Sequence, residues 1–128
     1  MAKKAEDILK QWMSAVNDGE LEALLGLYSD DAVLIPTFSS RLLNAPEKIR
    51  GYFQKLANRE DLSIALHEKT VIVQPIQGNI VSLCGIYCWR FSVDGELLSF
   101  EARFSYVLDL DADRPIINHH SSQIPRVL

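Results

Sequence analysis

The least ordinary chemistry in this 128-residue chain lies near its end, in the run Asn118-His119-His120-Ser121-Ser122. If the run is a strand, alternation sends Asn118, His120 and Ser122 to one face and His119 and Ser121 to the other, so either face receives an imidazole together with a hydroxyl. Such a pair suggests a nucleophile and its base. Residues two apart on a strand nevertheless stand about 7 Å apart at Cα, too far for an easy Ser to His hydrogen bond, and no Gly-flanked elbow surrounds either serine. Zinc fares no better: His67, His119 and His120 are the only imidazoles, and adjacent His119 and His120 point apart. Cys84 and Cys88, four apart in a strand-like run, stand about 13 Å apart. They do not reach each other as a disulfide and read as small buried hydrophobes. Neither a metal nor another cofactor is expected.

The elements that would hold these residues can be read from periodicity. Ala5, Ile8, Leu9, Trp12, Met13 and Val16 recur at three and four, the mark of one helical face, and Asn17-Asp18-Gly19 stops them. A second short helix from about Glu20 carries Leu21, Leu24, Leu25 and Tyr28 inward. Ala32 to Ile35 reads as a short strand ending at Pro36. A third helix follows Asn44, with Asn44 as cap, Pro46 in the first turn and Glu47 in the capping-box position. Ile49, Tyr52, Phe53 and Leu56 share its inner face, so the Tyr52 hydroxyl needs a buried partner.

Beyond this point the period falls to two. Ser63 to Gln74 and Asn79 to Val93 read as strands joined by a turn at Pro75 to Gly78. Asp94-Gly95 signals a tight hairpin into a strand from Glu96 to Leu110. There Leu98, Phe100, Ala102, Phe104, Tyr106 and Leu108 make one apolar face. Glu101 and Arg103 share the other, as a solvated pair. Ile116 to about Ile124 forms the last strand. Helices followed by long antiparallel strands indicate an α+β domain, three helices of the N-terminal half packed on a curved antiparallel sheet. At this length one domain, residues 1–128, is expected.

Two levels of resemblance extend this reading. The element order is similar to the cone-shaped fold of nuclear transport factor two, ketosteroid isomerase and polyketide cyclases, which implies a pocket between sheet and helices and dimerisation through the outer sheet face. More narrowly, Leu34-Ile35-Pro36-Thr37-Phe38-Ser39-Ser40, Ile49-Arg50-Gly51-Tyr52-Phe53 and His119-His120-Ser121-Ser122-Gln123-Ile124-Pro125 together resemble the iota-class carbonic anhydrases. These are relatives of the association domain of calcium/calmodulin-dependent protein kinase. The likeness runs from about Trp12 to Pro125. Asn118 stands where that family's closing motif has its first His, Ser40 where Asn is usual, and Ile124 where Met is usual.

The resemblance implies hydration of carbon dioxide to bicarbonate without a metal. Thr37, Tyr52, His120 and Ser122 would be the functional groups, with Phe38, Phe53, Arg103 and Asn118 lining the pocket. Hydroxyls of Thr37, Tyr52 and Ser122 would hold water and the developing bicarbonate, and His120 would orient them or move a proton. Two alternatives stand beside it. One is a noncatalytic module that binds a small ligand or assembles rings, as the kinase association domain does. The other is a cyclase or isomerase of the ketosteroid isomerase type, which needs a deep carboxylate base, and no Asp or Glu takes a clearly inward position. The formal charge of −4 and the lack of any basic run beyond Lys3-Lys4 count against nucleic acid or an anionic membrane as partner. A small molecule or anion and further copies of this chain, as a homodimer or larger, are the expected partners. No stretch is long enough to span a bilayer, and a cytoplasmic location is expected.

Overall fold

The computed structural model describes residues 3–125; residues 1–2 and 126–128, the outermost ends of the expected domain, lie outside them. The first apolar stripe forms helix α1 (Ala5–Asn17), and Ala5, Ile8, Leu9, Trp12, Ala15 and Val16 are buried along it. Gly19, at φ +68°, takes the left-handed turn that ends the segment. Helix α2 is one short turn, Leu21–Leu25. Tyr28 does not lie on it, as expected, but opens strand β1 (Tyr28–Ile35). Helix α3 spans Pro46–Ala57 and buries Ile49, Phe53 and Leu56. Its cap is Ala45, with no side-chain bond. Asn44, the expected cap, instead accepts a hydrogen bond from Lys48 Nζ (3.3 Å).

The expected strand from Ser63 to Gln74 is broken in two. Strand β2 (Ser63–Leu66) and strand β3 (Ile72–Gln77) both pair with β4 (Ile80–Val93), and a 3-10 turn, Glu68–Thr70, separates them. Thr70 patches the gap in the ladder, since its Oγ1 accepts the Ile86 N–H (2.9 Å) and donates to the His67 carbonyl (2.7 Å). Pro75 stays inside β3, and the chain reverses at Gly78, φ +56°. The next reversal is as expected: Asp94 and Gly95 both take positive φ, 52° and 82°, and β4 pairs with β5 (Glu96–Asp109) throughout.

Strand β6 (Ile116–Gln123) completes a sheet ordered β1-β6-β5-β4-β2. The β1–β6 pair is parallel, which corrects the all-antiparallel expectation. Side-chain alternation carries no information on strand direction, and almost the whole chain lies between the two strands, so no hairpin forces them to oppose. The α+β architecture itself is as expected: the helices cover the concave face, where Trp12 meets Leu83, Tyr87, Trp89, Phe104 and Tyr106 in one core. No helix among the described residues is long and apolar enough to cross a membrane.

One irregularity governs everything that follows. Leu108 pairs with Ile116, but Val107 pairs with Asn118, so Ile117 is an extra residue bulged out of β6. Strict alternation from Ile116 would aim Asn118, His120 and Ser122 at the helices. The bulge reverses that parity, placing His119 opposite Tyr106 and Ser121 opposite Phe104 on the inner face.

Gly85 is a second tight point. A Cβ there would stand 3.0 Å from Phe104 Cζ and 3.1 Å from Thr70 Oγ1. The Phe104 ring, stacked on Tyr87 at 4.6 Å, has little room to retreat. Gly85→Ala is therefore expected to destabilise the protein by about 1–3 kcal/mol in urea unfolding, as overpacking of a full core does; unchanged stability would mean that Phe104 yields freely.

Candidate active site

The inner face of β6 meets α1, α3 and the segment after β1 in a buried polar network. The Trp12 indole N–H donates to Tyr28 Oη (3.0 Å). Tyr28 lies 2.7 Å from His119 Nδ1, and Tyr87 Oη lies 3.2 Å from His119 Nε2. Because an indole only donates, Tyr28 receives from Trp12 and passes its own proton to Nδ1. Nε2 then carries the imidazole hydrogen and donates to Tyr87. One tautomer satisfies all four groups, and the aromatic rings around it fix the imidazole in place, Tyr106 stacking on it at 4.0 Å.

His119 is 2% exposed. Burial, reinforced by the nearby charge of His120, pushes its pKa down to about 3, so it is neutral at ordinary pH. Burial acts oppositely on the tyrosines. Tyr52 is raised to about 12, with the Phe38 amide and Thr37 partly offsetting the effect. Tyr28 and Tyr87 are raised further for the same reason. All three are hydroxyl donors at neutral pH.

From Tyr87 the network continues to Ser121 and Thr37, which hydrogen-bond each other across the junction of β6 and the segment after β1. Phe38 N–H donates to Tyr52 Oη (3.3 Å), tying that segment to α3. These groups, with Trp12, Leu34, Pro36, Phe53 and Trp89, line a narrow cleft. Its walls stand so close that no free water-sized sphere fits, so occupancy requires Thr37 and Ser121 to part. No carboxylate lines the cleft.

The expected site residues divide between the two faces of the sheet. Thr37, Tyr52 and Phe53 line the cleft. Phe38 stands beside it, its ring packed edge-on against Trp89 at 5.9 Å. His120, Ser122, Asn118 and Arg103 do not join them. The bulge at Ile117 turns His120, Ser122 and Asn118 outward, and Arg103, opposite Ser122 on β5, is exposed there too. The distance argument against a Ser to His bond across two strand positions is also corrected. On the outer face His120 Nε2 and Ser122 Oγ lie 2.7 Å apart, because the long imidazole leans along the strand. Nearby Glu101 pairs with His67 (2.7 Å) rather than with Arg103.

The sequence does not single out Tyr87 or Trp89, offers Tyr28 only as an inward helix residue, and leaves as the face not chosen on the last strand His119 and Ser121. Consecutive apolar Ile116 and Ile117, which break strict alternation just before the polar run, are the one local sign of the bulge that brings the last two inward. Among the described residues no group of three His, Cys, Asp or Glu is arranged to hold a metal ion.

Comparison with known proteins fits this geometry. The model of the SnoaL-like domain matches residues 5–126. The chain belongs to the SnoaL-like domain family. Among solved structures it is similar to a candidate calcium/calmodulin dependent protein kinase II association domain from Xanthomonas campestris, at 25% identity over 95% of this chain and 86% of that one, TM-score 0.84. It is also similar to a candidate dehydratase of the NTF2-like family from Streptomyces avermitilis (14% identity, 94% of each chain, TM-score 0.80). A third likeness is to a ketosteroid isomerase-like protein from Erwinia carotovora atroseptica (12% identity, 94% of each chain, TM-score 0.74). The last two show the shared fold. No curated protein matches the sequence.

Holding His119 neutral has a consequence for stability. In the fold it takes up no proton until about pH 3, whereas in the unfolded chain it protonates as pH falls through about 6.5. Its contribution is thus complete above about pH 6.5 and is lost progressively toward pH 3, at up to about 1.4 kcal/mol per pH unit. Unfolding free energies measured at pH 7 and pH 5 should differ less in His119→Gln than in the wild type. Equal differences in wild type and His119→Gln would show that His119 is protonated in the fold.

Proposed function

We propose that the inner cleft hydrates carbon dioxide to bicarbonate, with Thr37, Tyr52 and Ser121 as the groups that touch the reactants. The observation that carries this reading is the cleft's composition. Hydroxyl donors and aromatic walls line a narrow cleft, with no carboxylate to serve as the base of an isomerase or cyclase. The likeness of the Thr37 and Tyr52 segments to iota-class carbonic anhydrases supports the same reading, with Ser121 in the place that the likeness gives to the outward Ser122.

In this mechanism the linear, uncharged substrate enters against Phe53 and Trp12, and Thr37 and Ser121 part to hold a water between them. The water oxygen bonds to the carbon, one carbonyl π pair moves onto its oxygen, and the surplus proton leaves to solvent buffer. Tyr52, held protonated by burial, donates to the oxygen that gains charge. His119 does not act as the base, because a group with a pKa near 3 accepts protons too weakly at neutral pH. It is a positioning residue that orients Tyr87 and, through it, Ser121. With no strong base in the cleft, turnover is slow and rises with buffer concentration.

The second reading, a noncatalytic assembly module, is favoured by the likeness to the Xanthomonas association-domain structure. In it the outer sheet face, carrying His67, Glu101, Arg103, His120 and Ser122, joins copies of the chain.

Stopped-flow hydration with chelator present separates the two. The proposal expects activity above buffer that falls about tenfold or more in Tyr52→Phe and in Ser121→Ala, as loss of one oxyanion donor does elsewhere, and that is retained in Ser122→Ala. Loss in Ser122→Ala alone would move the chemistry to the outer face. A wild-type rate equal to buffer, with a ring-sized mass by light scattering, would leave the assembly module.

A further inference from the structure

Trp89 is 2% exposed and lines the cleft, yet its indole N–H has no hydrogen-bond partner among the described residues. A buried donor without an acceptor is uncommon in folded proteins and calls for an explanation. Local crowding does not supply one, since Trp12, equally buried, donates its indole N–H to Tyr28. The other orphan, the Tyr106 hydroxyl, does not line the cleft. The Trp89 N–H lies toward the Tyr87 hydroxyl and draws its pKa down, without reaching hydrogen-bond geometry.

The neighbouring groups share this imbalance. Tyr52 Oη already accepts the Phe38 amide, so its own proton is free to give. His119 Nδ1 is occupied by Tyr28. Of the Thr37 and Ser121 pair, one hydroxyl donates to the other and the second proton remains. The cleft is therefore lined by hydroxyls able to donate beside the unpartnered Trp89 N–H, and no acidic side chain lines it. Outside, Phe38 and Tyr52 also border an open depression that carries Arg41, Lys48, Lys55 and Arg59 and no carboxylate. None of these four cations forms an ion pair among the described residues. On a chain of net charge −4, this gathers positive potential in the depression that shares Tyr52 with the cleft.

We propose that Trp89 is a ligand-binding residue, its indole N–H taking one oxygen of a small planar oxyanion of the carboxylate or bicarbonate class held in the inner cleft. The reading deepens the hydratase proposal, for which bicarbonate is the product, but its chemistry does not require turnover. Size and shape set the specificity. The cleft holds no free water-sized space until Thr37 and Ser121 part, so between its flat aromatic walls the ligand is an anion of a few heavy atoms and not an aromatic acid.

Formate, inert toward hydration, is the probe. The chain has two tryptophans, so a 15N-labelled sample gives two indole N–H signals, assigned by through-bond spectra. On titration with sodium formate against sodium chloride at matched ionic strength, the Trp89 signal should move saturably while the Trp12 signal stays. Trp89→Phe should weaken formate binding, followed at the Thr37 and Ser121 amides, by about tenfold or more. A Trp89 signal that formate leaves unmoved overturns the proposal, and this arm decides even if the variant fails to fold. Formate binding at Trp89 in a protein without hydration activity would discard the hydratase and keep the oxyanion site. Hydration activity with a Trp89 signal indifferent to both formate and bicarbonate would do the reverse.

Discussion

A neutral imidazole wedged between two tyrosines is the constraint on which the rest of this structure depends. His119 reaches Tyr28 through one nitrogen and Tyr87 through the other, and Trp12 fixes the proton order from α1. Four elements, α1, β1, β4 and β6, thus meet at one ring. A buried polar network is stabilising only when every member is satisfied, and its low-dielectric setting makes any vacancy costly. The same four side chains that close the helices onto the sheet therefore also specify which hydroxyls reach the cleft and which way their protons point.

This arrangement explains why the cleft is built of weak acids and no charge. Desolvation penalises ionised forms at that depth, so tyrosines stay protonated and the histidine stays neutral. The fold keeps formal charge out of the cleft and gathers Arg41, Lys48, Lys55 and Arg59 in an open depression that shares Tyr52 with it. A family that shares such a cone can change its chemistry by exchanging a few inward side chains, and a likeness in fold says little about which reaction is run.

Much of the architecture was legible because its signals are local. The stripe of α1, the alternation along β5 and the Asp94-Gly95 reversal each depend on side-chain period or on φ at one or two residues. So did the inward placement of Tyr52 and Phe53, which follows from helical spacing alone. Three features were not local. The parallel β1–β6 pairing is a long-range choice that alternation does not encode. The 3-10 turn at Glu68–Thr70 rests on the Thr70 hydroxyl reaching β4, a partner far along the chain. The parity of β6 depends on one bulged residue, Ile117. For that reason Thr37 and Tyr52 were placed at the cleft while His120 and Ser122 were assigned to the wrong side of the sheet.

That bulge has an evolutionary corollary. Across β6, a polar run of two histidines and two serines gives nearly the same pair of side chains to either face, so composition is almost indifferent to which face is inward. Loss of the single codon for Ile117 would remove the extra residue and leave Asn118 opposite Val107 directly after Ile116 opposite Leu108, so His119 and Ser121 would keep the inner face; the two sets would change places only if Ile117 were drawn into the ladder opposite Val107. Insertions and deletions are usually counted as damage to a sheet. Here the deletion would regularise the ladder, whereas a slip of one residue in the pairing, with no change of sequence, would turn the outward His120 and Ser122 into the inner pair.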